Sequence, residues 1–422
     1  MDSSPLTSEE QAHFANLKVP VEPQEEANIG AATMIVLSPG VPYDLPMLIK
    51  ARERGVATIG EVELASFFLK GPVLGITGSN GKTTTTALTG HLLQHAGVAC
   101  QVGGNIGTAV TALIDSSDTQ RWNVLELSSF QLESVSHFRA QVAACLNVTP
   151  DHLDRHITFE NYVAAKERIF ANQTVDDALV LNWDDPVTRA SAARAPSRVF
   201  WFSRKEPVEQ GAYLLAGEVV FKSAKDVKPE RIVAVEKIPL KGEHNVENVL
   251  AAVCAARLAG VEAGAIRKAV ESFHAVEHRL EFVATLNGVD YYNDSKATNV
   301  DAAAKAISSF PGGIHLILGG KDKNSDYTQL SALLKERVKA VYTIGSAAGK
   351  IESHISGDVP IVSAGTLDAA VKEAGDAAMP GDVVLLAPAC SSFDQFKNYE
   401  HRGRVFKELV MARKRLPEWQ NA

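Results

Sequence analysis

Residues 78–84 read GSNGKTT, directly after the apolar run VLGIT and directly before a helix-forming stretch. In that setting the loop's backbone N–H groups and the following helix N-terminus can hold polyphosphate, the Lys82 ammonium neutralises outer-phosphate charge, and the Thr83 hydroxyl reaches Mg²⁺. Gly78, Ser79, Asn80, Gly81, Lys82, Thr83 and Thr84 are therefore the candidate nucleotide-binding residues, with ATP or GTP as the ligand. The strict phosphate-loop spacing calls for glycine where Ile76 stands, so the loop is a variant.

Glu126, in the run NVLEL ahead of Ser128 and Ser129, stands where phosphate-loop proteins keep a carboxylate for Mg²⁺ or its water, and reads equally as a polar strand end. The segment NVTPDHLDRH clusters Asp151, His152, Asp154 and His156. Two histidines four apart raise a zinc site, but the metalloprotease pattern needs glutamate at 153, where Leu153 stands. His152 follows a strand end and is the better candidate; Asp154 and His156 read as solvated loop residues. Lys166, in the helical stretch NYVAAKERIF, reads residue by residue as a solvated charge. A cation among Mg²⁺ ligands opposes metal binding unless its charge is changed, and carbamylation by CO₂ would convert it into an oxygen donor.

The elements that must position these groups follow an α/β rhythm. TMIVLSPG, VATIG and PVLGITG alternate with helical patterns, with a helix expected from about 83 to 96, and WNVLELSS and QVAACLNVT each run into polar residues. Between about 197 and 239, YLLAGEVVF and RIVAVEKIPL suggest antiparallel strands with an Ala-Gly turn, and a helix is expected from about 247 to 259. His244 and Asn245 in GEHNVEN read as possible caps of that helix. Beyond Glu277 the alternation resumes with GVDYYND, IHLILGG, AVYTIG and DVVLLAPAC. The loops NDSKAT (293–298), GGKDKNSD (319–326) and PACSSFDQF (388–396) would then share one sheet edge, basic and rich in hydroxyls, suited to an anionic substrate. Arg279 reads as a hinge residue or a surface charge.

Composition narrows the function class. With 42 Lys plus Arg against 50 Asp plus Glu the net charge is −8, which argues against nucleic-acid or anionic-membrane binding through bulk charge. Length suggests about three domains. Cys100, Cys145, Cys254 and Cys390 form no CxxC pair, no run is long enough to span a membrane, and the N-terminus is acidic, so a cytoplasmic protein is expected.

In order, GSNGKTT, LELSSFQLE, LNVTPDHLDRH, AAKERIF, GEHNVEN, HRLE, YYNDSKATN, LGGKDK and PACSSFDQFKNYEHRG resemble the Mur ligase family, most closely the branch that adds D-glutamate, over residues 34–411. The resemblance implies a three-domain α/β architecture: a partial N-terminal Rossmann-like domain for the UDP substrate (1–60), a central P-loop ATPase domain (61–276) and a C-terminal Rossmann-like domain for the amino acid (277–422). It implies ATP- and Mg²⁺-dependent amide formation between UDP-N-acetylmuramoyl-L-alanine and D-glutamate through an acyl phosphate, by a monomer serving peptidoglycan precursor synthesis. Lys82, Glu126, His152 and Lys166 match catalytic positions. Thr83 and Glu126 match ligands of one Mg²⁺, and His152 and a carbamylated Lys166 match ligands of a second. Asn245, Arg279 and Asp294 match ATP-binding positions, Asn105 a position near the UDP substrate, and Lys296, Thr298, Lys323, Ser392 and Tyr399 positions that recognise D-glutamate. The family often has Phe where Tyr399 stands. The family's opening strand and glycine-rich loop have no counterpart before Met1, so about thirty preceding residues are expected to be missing, with Asp2 at the uracil end. The alternatives are another Mur-type or folylpolyglutamate-type ligase, or a P-loop nucleotide-hydrolysing switch protein.

Overall fold

The computed structural model describes residues 8–21, 29, 32–240, 242–273 and 277–414; Asp2 lies outside them. Three separate sheets organise the described residues. The first pairs β1 (Met34–Leu37) with β2 (Ala57–Gly60) in parallel, joined by the helix Pro46–Glu53, whose first residue is the proline that tolerates the missing N–H there.

The second sheet contains β3 (Val73–Thr77), β4 (Cys100–Gly104), β5 (Trp122–Glu126), β6 (Val142–Cys145), β7 (Ala178–Asn182), β8 (Arg198–Ser203), β9 (Gly211–Leu215), β10 (Glu218–Lys222) and β11 (Glu230–Ala234). Its order is β11-β10-β9-β8-β7-β6-β3-β5-β4, parallel from β4 to β9 and antiparallel beyond. β3, β6 and β7 are buried throughout, which explains their unbroken apolar runs: helices cover both faces. The Ala-Gly turn is present, with Ala216 and Gly217 both at positive φ, as a two-residue hairpin of this hand requires. The antiparallel strands continue the parallel sheet, because β8 pairs with both β7 and β9. The helix expected from 247 begins earlier, at Glu243–Leu258, with Gly242 (φ 91°) as its break. His244 and Asn245 therefore sit in its first turn rather than capping it.

The third sheet orders β12 (Glu281–Leu286), β13 (Val289–Asn293), β14 (Ile314–Gly319), β15 (Val338–Ile344), β16 (Ile361–Gly365) and β17 (Val383–Leu386) as β12-β13-β17-β14-β15-β16. All pairs are parallel except β12–β13, a hairpin whose Asn287-Gly288 turn has both φ values positive. β12 and β16 were not anticipated; as edge strands they are only partly buried and lack the continuous apolar run of the inner strands. Because β13, β14 and β17 run the same way, the loops after them do emerge at one edge. Among the described residues no helix is long and apolar enough to cross a membrane.

Candidate active site

The phosphate loop leaves the carboxyl end of β3, between β5 and β6, where the chain's path across the sheet reverses direction and crevices form. Ser79 N–H donates to Asn147 O (2.9 Å), Asn80 N–H to Asn147 Oδ1 (2.9 Å) and Ser79 Oγ to Thr149 O (2.9 Å). Gly81 takes φ 86°, and a Cβ there would stand 2.2 Å from Asn248 Oδ1, so only glycine fits. The Lys82 ammonium folds back onto Gly78 O (2.8 Å) and Ser79 O (2.9 Å), and Lys166 Nζ donates to the same Gly78 O (2.8 Å). Burial lowers both amines: Lys82 falls from its ordinary value, and Lys166, pressed further by Lys82, falls to about 7. Lys166 is buried because the helix Phe159–Glu167 turns Tyr162, Ala165 and Lys166 to one face. Among the described residues, Thr83 Oγ1, Thr84 Oγ1 and Glu126 Oε2 are buried without a hydrogen-bond partner. The other Glu126 oxygen accepts from Asn105 Nδ2 (2.9 Å), which brings Asn105 into the site.

His152 adopts a left-handed conformation (φ 53°) that aims the segment after β6 back toward the loop. Burial holds its imidazole down at about 4 against the pull of Asp151, whose carboxylate lies 3.6 Å away, so the ring is neutral with a free lone pair at neutral pH. His156 is not solvated: one helical turn on, it is buried between Ser129 Oγ (3.0 Å) and Glu133 Oε1 (3.1 Å), a structural role. The side chain of Asp154 lies outside what the structure describes. Glu133 also accepts from Arg155 (2.7 Å), whose Nη2 reaches Val41 O (3.1 Å) after β1 and so ties this segment to the first sheet.

The edge of the third sheet faces the same place. Burial raises Asp294 to about 6 against the opposing Arg279 guanidinium, and these two, with Gly81, His244 and Asn248, line a cavity of about 20 Å³ beside the phosphate loop. Asn245 Oδ1 accepts from Asn248 Nδ2 (3.0 Å) behind it. Lys296 Nζ donates to the Tyr399 hydroxyl (3.3 Å) and lies 5.0 Å from its ring centroid; burial brings this amine down to about 8. Lys323 Nζ lies 4.0 Å from Asp151 Oδ1. Thr298 and the buried Ser392 sit on the same edge, but neither hydrogen-bonds to the second sheet's unit among the described residues. A larger cavity, about 970 Å³ beside Tyr291, Asp376 and Arg413, carries none of the candidate residues.

Several groups that build the site escaped the sequence reading. Arg402, 1% exposed, donates to Ser295 Oγ (3.0 Å), Ser295 O (2.8 Å) and Cys390 O (3.2 Å), and more distantly to Ser391 O and Gly319 O, so that one guanidinium holds all three strand-end loops. Asn147, Thr149, Tyr162 and Glu133 shape the phosphate loop and the His152 segment. Asn147, Thr149 and Glu133 lie within quoted motifs, yet single polar residues there carry no spacing signal.

The Mur ligase middle domain model matches residues 76–256, and the model described as Mur ligase, glutamate ligase domain matches residues 278–390. The chain is 66% identical over 389 residues to the UDP-N-acetylmuramoylalanine–D-glutamate ligase of Acidobacterium capsulatum, covering 92% of this chain and 84% of that protein. It is 56% identical over 409 residues to the protein of the same name from Solibacter usitatus, covering 97% and 91%. Among solved structures, the MurF ligase of Thermotoga maritima in complex with ADP superposes with a TM-score of 0.63 at 19% identity, covering 92% of this chain and 97% of that one. A pseudomurein peptide ligase type C from Methanothermus fervidus gives 0.64 at 18%, covering 95% and 92%. These last two share the fold. Family matches across the second and third sheets, with relatives 56–66% identical over nearly the whole chain, show that the chain belongs to the Mur ligase family.

Proposed function

We infer that this chain is an ATP-dependent ligase that joins D-glutamate to UDP-N-acetylmuramoyl-L-alanine. The observation that carries the reading is the meeting of a phosphate loop with a cationic loop edge, Lys296 and Lys323, in a chain 66% identical to a ligase of that name. In this reaction an oxygen of the alanyl carboxylate attacks the γ-phosphorus, the bond to ADP breaks, the amine of D-glutamate attacks the acyl phosphate, and phosphate and a proton leave. The loop amides and Lys82 hold the phosphates and offset charge that builds on the transferring group. Arg279 and Asp294 take the nucleoside end, Asn245 backs that pocket, and Asn105 meets the precursor. Lys296, Lys323, Thr298, Ser392 and Tyr399 orient the amino acid, and closure of the third unit on the second excludes water from the acyl phosphate.

The residues fit Mg²⁺. Thr83 Oγ1 and Glu126 Oε2 are buried oxygens lacking partners, the donors a hard cation takes, and His152 is neutral. Thr83 and Glu126 would hold one ion, and His152 with Lys166 a second; bound ions would supply charge neutralisation at the phosphoryl oxygens. Lys166 fits only without its charge, and burial favours that: at about 7 much of it is the neutral amine that adds to CO₂. We take the domains as 1–60, 61–276 and 277–422, and the protein as a cytoplasmic monomer acting on small molecules, neither nucleic acid nor membrane. Phosphate release with ATP, Mg²⁺ and UDP-N-acetylmuramoyl-L-alanine tests the reading: it should require D-glutamate and be absent with L-glutamate. Release independent of the amino acid would point instead to a nucleotide-hydrolysing switch.

A further inference from the structure

The helix Val300–Ser308 follows directly on the Lys296–Thr298 loop, and its first residues reach across to the second sheet's unit. Its N-cap, Asn299, accepts from Ala302 N–H (2.8 Å) through Oδ1, which leaves the amide to donate to Asp151 Oδ2 (3.0 Å). Asp301, at the second helical position, needs no such contact for the helix's sake, since a carboxylate there already complements the helix dipole. Yet its Oδ2 accepts from the Asn80 side-chain amide in the phosphate loop, from Thr149 Oγ1 (3.3 Å) and from Lys305 Nζ (3.0 Å). The backbone of Asn80 is meanwhile held by Asn147 in its own unit, so this one loop residue is gripped from both sides.

A bare carboxylate beside a phosphate loop would repel polyphosphate. Lys305 pairs with it and offsets that charge, so Asp301 can serve as an acceptor at modest electrostatic cost. Both side chains remain about one-third exposed, 33% and 29%, which lets the contact open when the units part.

We propose that Asp301 is a positioning residue: its bond to Asn80 clasps the amino-acid unit onto the phosphate loop and keeps Lys296 and Lys323 in register with the reacting phosphate. The clasp rests on the ligase reading only for its kinetic consequence. Without it the closed form is populated about tenfold less, and ligands that bind across both units must supply that much more of the closure. Losing hydrogen bonds to a charged acceptor should shift the open–closed balance about tenfold.

Asp301→Ala should therefore raise the KM for D-glutamate about tenfold and change kcat less than about threefold, because saturating ligand restores closure. Small-angle scattering at one fixed concentration of a non-hydrolysable ATP analogue that half-closes the parent should give a larger radius of gyration for the variant than for the parent chain. Asp301→Asn, which keeps a carbonyl acceptor toward Asn80, should recover most of both effects. An unchanged radius of gyration in Asp301→Ala, or a fall in kcat at constant KM, overturns the clasp. If Asp301→Ala melts markedly lower than the parent, Thr149→Ala is read in its place, with the same direction expected and the same null result overturning. A parent chain that shows no D-glutamate-dependent phosphate release defeats the ligase reading, while the scattering comparison still decides the clasp.

Discussion

Replacing Arg402 by lysine keeps the charge and most of the length, so it isolates what the planar fork does. The guanidinium donates from Nε to Ser295 Oγ, from Nη2 to Ser295 O and Cys390 O, and from Nη1 to Ser391 O at 3.4 Å and Gly319 O at 3.5 Å. A single ammonium cannot reach acceptors on both sides of that plane, and at least two of them would be left buried without a donor. Each such orphan costs about 1–3 kcal/mol, which puts the loss for two at about 2–6 kcal/mol. For a unit of this size a kcal/mol moves the melting temperature by ~4 °C, so calorimetry should show the third unit's transition lowered by roughly 8–24 °C. The loops 293–298, 319–326 and 388–396 should also lose amide-exchange protection before the rest of their sheet. A shift under ~3 °C with unchanged protection would refute the claim that this one side chain holds the three loops together.

Thr83→Val removes a buried hydroxyl that has no partner, so stability should hold or rise by about 1 kcal/mol while phosphate release drops at least about a hundredfold; paired melting and rate measurements check the opposition of signs. Gly81→Ala forces a Cβ to within 2.2 Å of Asn248 Oδ1 at φ 86°, and titration calorimetry with a non-hydrolysable ATP analogue should show binding weakened more than about tenfold. Asp294, raised to about 6 by burial, should be ionised at pH 7.5 and largely protonated at pH 5, so affinity for the same analogue should fall as pH drops through 6. Asp294→Asn should bind weakly at both pH values, and a variant that kept the parent's pH dependence would assign it to another group.

What could be read from the sequence follows from how far apart the interacting groups lie. The phosphate loop is contiguous, so its strand, glycines, lysine and helix announce themselves within a dozen residues, and Thr83 and Lys82 stand where that pattern puts them. Three parallel strands with polar residues at their carboxyl ends likewise predict a shared edge without knowledge of strand order. The edge strand β12 was missed although Asn287-Gly288 marks its hairpin, since of its six residues only Ala284 is buried and the segment lacks the apolar run of the inner strands.

Single charged residues are the hard case, because the same lysine or arginine is a solvated surface group or a structural keystone according to partners far away in the chain. Lys166 shows this within one helix: read residue by residue it is an ordinary surface charge, and only the resemblance of the surrounding AAKERIF motif pointed elsewhere. The structure buries it to 1% because its helix presents it against Gly78 O, 88 residues upstream. Arg402 bonds to carbonyls 11 to 107 residues away, and Asp301 to a loop 221 residues away. His156 went the other way, from presumed solvent to a buried pair with Glu133, because the left-handed turn at His152 redirects the chain inward. For Lys166 the local pattern defined the helix correctly, for His156 it read a loop where the chain forms the short helix Leu153–His156, and in both the fold decided whether the group met water or a partner. The family's chemistry needs several buried charges in one place, so the residues that sequence reasoning finds hardest to assign are those on which this site most depends.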